Sequence, residues 1–80
     1  MKISEAVAKR TRDLLIQKNI TQYRLCKELA MHPRSMATIM AGENKSVNLK
    51  TILLFSRGLG ITASEFLNDP LFESLELEVD

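Results

Sequence analysis

Cys26 and His32 are the single cysteine and the single histidine of this 80-residue chain, and they belong to the residue types most used as metal ligands and nucleophilic pairs. A structural zinc site needs four ligands, so these two cannot build one. No nucleophile stands at a fixed spacing from a general base, no two carboxylates are paired for acid–base work, and no glycine-rich loop is present to cradle a phosphate. No metal, no cofactor and no enzymatic activity are expected. Cys26 falls on the apolar face of a helical segment and reads as a small core residue. His32 directly precedes a proline, near the N-cap of a helix that the proline opens, where it contacts a phosphate or simply packs on the surface.

Charge is the chemistry that remains. Residues 1–62 carry all eleven Lys and Arg against four acids, a net of +7, whereas residues 63–80 carry six acids and no base, a net of −6. A body of that sign suits a polyanion and a tail of the opposite sign does not. The plainer alternative is a solvated surface with an acidic end.

These side chains need a frame. With 45% apolar and 26% charged residues, the chain has the balance of one folded domain with an adequate core. No apolar run approaches the thickness of a bilayer, residues 1–5 lack an apolar signal core, and one cysteine cannot form an internal disulfide. A cytoplasmic protein without membrane contact is the expectation.

Val7, Leu14 and Leu15, with Ala8 and Thr11 between them, recur at helical spacings while Lys9, Arg10, Arg12 and Asp13 take the other face, which predicts an amphipathic helix over 4–18. Asn19 supplies a stop, and Thr21 caps a second helix over 22–30 with Leu25, Cys26 and Leu29 on one face. Met31 and His32 form a corner. Pro33 has a preset φ and no N–H to donate, so it suits the first turn of a third helix over 33–41, which Gly42 ends. Met31, Met36 and Met40 read as core. After a polar stretch over 43–47, Asn48 caps a fourth helix over 49–59, with Leu49, Ile52, Leu53 and Phe55 expected inside and Gly60 at its end. Thr62 caps a short fifth helix over 63–67, whose Phe66 and Leu67 close the core. The expected fold is all-α, with five helices.

Two helices joined by a tight turn, the second of them amphipathic, make a helix-turn-helix. Six features carry a resemblance: Thr21-Gln22 opening the second helix; Leu25-Cys26 where relatives usually carry Leu-Ala; Met36 at the buried position of the third helix; Gly42 closing it; Asn48-Leu49-Lys50-Thr51 opening the fourth; and GLGITASEFL over 58–67. Together they resemble the Cro and phage-repressor (XRE) family over residues 7–67. The resemblance implies a five-helix, lambda-repressor-like DNA-binding domain over 1–68, followed by an acidic tail, 69–80.

A B-form major groove admits an α-helix and displays base donors and acceptors there. The resemblance puts the third helix in that groove, with Pro33, Arg34, Ala37 and Thr38 toward the bases and Ser35 near the backbone. The planar fork of Arg34 bonds O6 and N7 of one guanine, worth about 1–3 kcal/mol of discrimination, or pairs with a phosphate instead. Pro33 departs from the family pattern, which often has Gln there. With Ala37 and the Thr38 methyl group it offers apolar contact suited to thymine methyls. For phosphates the resemblance implies Gln22 at the start of the second helix and Asn44, Lys45, Ser46 and Asn48 in the loop after the third, Asn48 also serving as a cap. Arg12, Lys18 and Arg24 are weaker candidates. Relatives often pair an Arg late in the first helix with a Glu late in the third; those positions are Leu15 and Met40 here, a double replacement that strands no charge.

The function implied is sequence-specific binding of double-stranded DNA by a small transcriptional regulator, usually a repressor, acting as a homodimer on half-sites about one helical turn apart. In the tail, Leu75, Leu77 and Val79 alternate with Glu76, Glu78 and Asp80 at the period of a strand. This segment pairs with another copy, pairs with another element or frays, and residues 71–80 are the candidate dimer contact. The alternative function is a protein-interaction module, such as an antitoxin-like partner with weak DNA specificity, toward which the limited base-reading capacity of Pro33 and Ala37 points.

Overall fold

A computed structural model describes residues 1–44, 47–74 and 77–78. Its elements are α1 (Ile3–Lys18), α2 (Gln22–Glu28), α3 (Pro33–Met40), α4 (Leu49–Leu59), α5 (Ala63–Leu67) and a 3-10 turn (Pro70–Phe72). The all-α, five-helix expectation holds.

Each helix begins and ends where local chemistry directs. Glu5 reaches back to accept from the Lys2 N–H at 2.9 Å and so closes the start of α1. Asn19, at φ 56°, ends it in the left-handed conformation that asparagine tolerates. Thr21, Asn48 and Thr62 cap α2, α4 and α5 by accepting the N–H of Arg24, Thr51 and Glu65, each three residues on.

The corner between α2 and α3 differs in detail from the sequence expectation. Helix α2 stops at Glu28 rather than near residue 30, and Ala30 takes φ 50°. The chain therefore reverses at Ala30, one residue before Met31. An L-residue with a Cβ is disfavoured by about 1–2 kcal/mol in that region. Because Ala30 is exposed, its methyl group contributes little packing to offset this. Ala30→Gly is accordingly expected to raise stability by about 0.5–1 kcal/mol, the relief of strain exceeding the added freedom of the unfolded chain. An equal or lower thermal midpoint would show that the corner is unstrained.

Helix α1 is the hub, packing against α3, α4 and the 3-10 turn, while α2 packs on α3 and α4. Leu25, Met36, Phe55 and Phe66 lie at the centre with 1% exposure or less. The close crossing of α2 and α4 requires Gly58: a Cβ there would stand 2.6 Å from Cδ1 of Leu25. Two buried hydroxyls are satisfied within their own helices, Thr11 donating to the Val7 carbonyl and Ser56 to that of Ile52.

Three core expectations are corrected. Leu49 and Leu53 are exposed, at 65% and 41%, and so is Leu67. The buried face of α4 is Ile52, Phe55, Ser56 and Leu59, one stripe at three- and four-residue spacing; Leu53 stands on its flank, and Leu49, though in register with the stripe, is exposed as the first residue of the helix. Met31 is half-buried and packs against the core, as does Val47.

The chain after α5 turns back onto the body. Phe72 lies against Phe66 with ring centroids 6.1 Å apart. Glu78 donates its N–H to the Met1 carbonyl and accepts from the Ile3 N–H at 2.9 Å, a parallel bridge with Lys2. Of the alternatives for this segment, pairing with another element of the same chain is the one seen at Glu78. Leu75, Glu76, Val79 and Asp80, which carry the rest of the alternation, lie outside the described residues.

Candidate nucleic-acid interface

Helix α3 is short and two-sided. Met36, Ile39 and Met40 are buried, with Met36 at 1% exposure, and they anchor the helix to the core. Pro33, Arg34, Ser35 and Ala37 are exposed and Thr38 is half-buried; Arg34, Ala37 and Thr38 turn away from the buried stripe, Ser35 stands on its flank, and Pro33 is exposed at the first turn, in register with Met36. The first turn is organised by His32, whose Nδ1 accepts from the Arg34 N–H at 3.0 Å. That places the imidazole at the N-cap with Nδ1 as an acceptor. The position before Pro33 marks His32 as the N-cap in the sequence, but histidine is not a usual cap and its side-chain bond was not expected.

The Thr38 hydroxyl donates to the Arg34 carbonyl at 2.9 Å. Its hydrogen is thereby committed to the helix, leaving the methyl group and the oxygen lone pairs for an outside partner. The Arg34 guanidinium makes no hydrogen bond or ion pair among the described residues, so its donors face solvent. Exposed Arg34, Ser35, Pro33 and Ala37 with a helix-bonded Thr38 make a surface that is cationic at Arg34, polar at Ser35 and otherwise apolar.

Around this helix stand the other candidates. Gln22 is exposed at the first residue of α2 and lines a depression of about 590 Å³ that also takes in Pro33, which brings the start of α2 beside the start of α3. Asn48 is exposed, and its Oδ1 accepts both the N–H of Thr51 at 3.1 Å and its hydroxyl at 3.3 Å. The cap thus uses the oxygen of Asn48 and leaves the Nδ2 donors outward, so both roles considered for it are compatible. Asn44 is half-buried, and Lys45 and Ser46 lie outside the described residues.

Two arginines do work that the sequence did not signal. Arg10 donates from Nε to the Phe66 carbonyl at 2.7 Å, from Nη2 to the Glu65 carbonyl at 2.8 Å, and from Nη1 to Asp69 Oδ2 at 3.2 Å. It locks the end of α5 and the beginning of the tail onto α1. Arg12, exposed and considered for phosphate contact, donates from Nη2 to the Met40 carbonyl at 2.8 Å, at the end of α3. The available signal was position: Arg10 stands between Val7 and Leu14, and Arg12 between Ala8 and Leu15, both at helical spacing on the flanks of the apolar stripe.

Leu15 and Met40 are both buried and line one depression between α1 and α3, where the pattern of relatives would put an ion pair. Among the described residues, no group of three or more His, Cys, Asp or Glu is placed to hold a metal ion, and no helix is long and apolar enough to cross a membrane. No curated protein and no solved structure matches the chain. The family model for the Cro/C1-type HTH DNA-binding domain does match, over residues 10–70, a span that takes in all five helices except the first turns of α1. With its helix-turn-helix formed by α2 and α3, this chain belongs to the Cro/C1-type HTH DNA-binding domain family.

Proposed function

We propose that the chain is a sequence-specific, double-stranded-DNA-binding transcriptional regulator, most simply a cytoplasmic repressor, that lays α3 in the major groove. The observation carrying this reading is the division of α3: three buried anchors on one side and Arg34, Ala37 and Thr38 turned away from them, with Pro33 exposed at the first turn. Arg34 is the guanine reader. Pro33, Ala37 and the Thr38 methyl supply apolar contact to thymine, so discrimination rests on one bidentate bond, methyl contacts and DNA shape. Gln22, Ser35 and the loop donors Asn44, Lys45, Ser46 and Asn48 hold phosphates and fix the register. Occlusion of a promoter needs no surface beyond the DNA-binding one, which favours repression over activation.

One such module makes too few base contacts for tight specific binding, so the active form is a homodimer on paired half-sites. The tail, 69–80, is kept as a candidate contact, while the exposed Leu49 and Leu53 beside Asn48 offer a second apolar patch next to the DNA-facing loop. A chain ended at Ser74 retains Asp69 and Phe72, and an unchanged mass in solution for that chain would remove the tail's end from the interface. The protein-docking alternative draws on the apolar character of Pro33 and Ala37.

Selection of bound sequences from a random duplex pool at near-physiological salt tests the main reading. A two-fold-symmetric site is expected, with a guanine preference that disappears in Arg34→Ala at a loss of about 1–3 kcal/mol. No enrichment from the pool would transfer the assignment to the protein-docking module.

A further inference from the structure

We infer that Arg12 is a positioning residue of the DNA-binding surface, acting on the base-facing helix through the carbonyl of Met40. This rests on the proposal that α3 contacts bases. The bond, from Nη2 to the carbonyl oxygen at 2.8 Å, crosses from α1 to the last residue of α3. Carbonyls in the final turn of a helix lack an intrahelical N–H, and a cation there also meets the negative end of the helix dipole.

What the bond adds is direction. Met36, Ile39 and Met40 fix α3 by apolar contact, which resists separation but is tolerant of a small roll or slide of the helix. A guanidinium fork is planar and its hydrogen bond weakens steeply with angle, so it defines where the end of α3 lies. Ala37 and Thr38 stand less than one turn from that end, and their reach toward the bases follows its position. Relatives would tie α1 to α3 at this place by a side-chain ion pair. Here Leu15 and Met40 have replaced both charges, and a residue one turn earlier on α1 bonds the backbone instead.

The surroundings fit this role. Arg12 and Met40 line a depression of about 500 Å³ together with Leu15, Thr21 and Gln22, so the guanidinium stands where α1, the start of α2 and the end of α3 meet. Tethering there holds the two halves of the helix-turn-helix in a fixed relation. Arg12 is exposed and commits only Nη2 to Met40, so positioning and phosphate contact are separated by experiment.

Phosphate binding and positioning separate in salt-dependent affinity, because each phosphate neutralised contributes about 0.9 to the slope of log K against log salt. The experiment measures wild type, Arg12→Ala, Arg12→Lys and Arg10→Ala against a duplex recovered by selection and against a scrambled duplex over a salt series, with urea midpoints alongside. Arg12→Ala is expected to lose about tenfold of the selected-over-scrambled ratio, the size of one lost base contact, with the slope unchanged. Arg12→Lys, which keeps a charged donor, should regain part of the ratio. Arg10→Ala, which loosens α5 and the tail, should lose stability and keep the ratio. An equal fall on both duplexes with a slope smaller by about 0.9 makes Arg12 a phosphate ligand and overturns the inference. An unchanged ratio in Arg12→Ala overturns it as well. No preference in the wild type overturns the base-reading proposal, and this inference with it.

Discussion

Met40→Glu is expected to lower the unfolding free energy by about 3 kcal/mol. Met40 is 7% exposed and Leu15 6%, and both line the depression between α1 and α3. A carboxylate placed there would give up its hydration, and the cation that lines the depression, Arg12, already donates from Nη2 to the Met40 carbonyl. Leu15→Arg alone buries an uncompensated guanidinium and is expected to destabilise by a similar amount. The two together restore a pair, so the double variant should recover most of the loss, with a coupling of about 2 kcal/mol or more in a double-mutant cycle. Urea midpoints of the four proteins measure this directly. Additive effects, or an unchanged midpoint for Met40→Glu, would mean that the two side chains do not meet. With Leu15 and Met40 both apolar, the depression holds no stranded charge at these two positions.

Arg10→Ala should be comparably damaging, at about 2–4 kcal/mol, for a different reason. One guanidinium serves the Phe66 and Glu65 carbonyls and the Asp69 carboxylate, with the Arg10 and Asp69 side chains only 14% and 25% exposed. Truncation leaves the Phe66 carbonyl and a partly buried anion without their donor, while the Glu65 carbonyl keeps the N–H of Asn68 at 3.2 Å. Asp69→Asn removes only the charge component and should be milder, because Asp69 Oδ1, which accepts the Leu71 N–H at 3.0 Å, has an amide oxygen to replace it. Arg10→Lys retains a single point donor and should recover at most a fraction. The readout is again unfolding in urea. Hydrogen exchange adds a spatial check, since protection should fall first in α5 and the 3-10 turn, and a uniform fall across α2 and α3 would contradict the local role given to Arg10.

The reach of the sequence varied with the kind of signal. The bounds of α4, residues 49–59, were legible because Asn48 and Gly60 are strong caps at both ends, and the structure has the same helix. Its buried face was not. Leu49, Leu53, Leu54 and Leu59 surround the helix, so apolar composition alone leaves the rotation undetermined, and Ser56 on the buried stripe misdirects a hydrophobicity count. Leu67 was misplaced because a helix of five residues does not complete enough turns to define a face. At the corner, Pro33 announced the start of α3, but nothing in an alanine announces a positive φ, and Ala30 supplies the reversal.

At the candidate interface the outward side of α3 was legible from its spacing, because three buried residues of an eight-residue helix fix where the others point. The supports were not. Arg10 and Arg12 look like solvent-facing charges until the partners are known, and those partners are backbone carbonyls 28 to 56 residues away, to which no residue type points. The N-cap position of His32 was legible from Pro33, but its bond was not, because an acceptor nitrogen substitutes for the usual side-chain oxygen. Contacts made to the backbone leave little trace in the identity of the residue contacted.

The placement of α3 in the major groove is tested most directly by chemical methylation of a bound duplex, since dimethyl sulfate attacks guanine N7 in the major groove and adenine N3 in the minor groove. Wild-type protein should protect guanine N7 at the same position in each half-site, and Arg34→Ala should bind with that protection lost. Protection confined to adenine N3, or guanine protection that persists without Arg34, would contradict the assignment of this helix and this arginine to the groove.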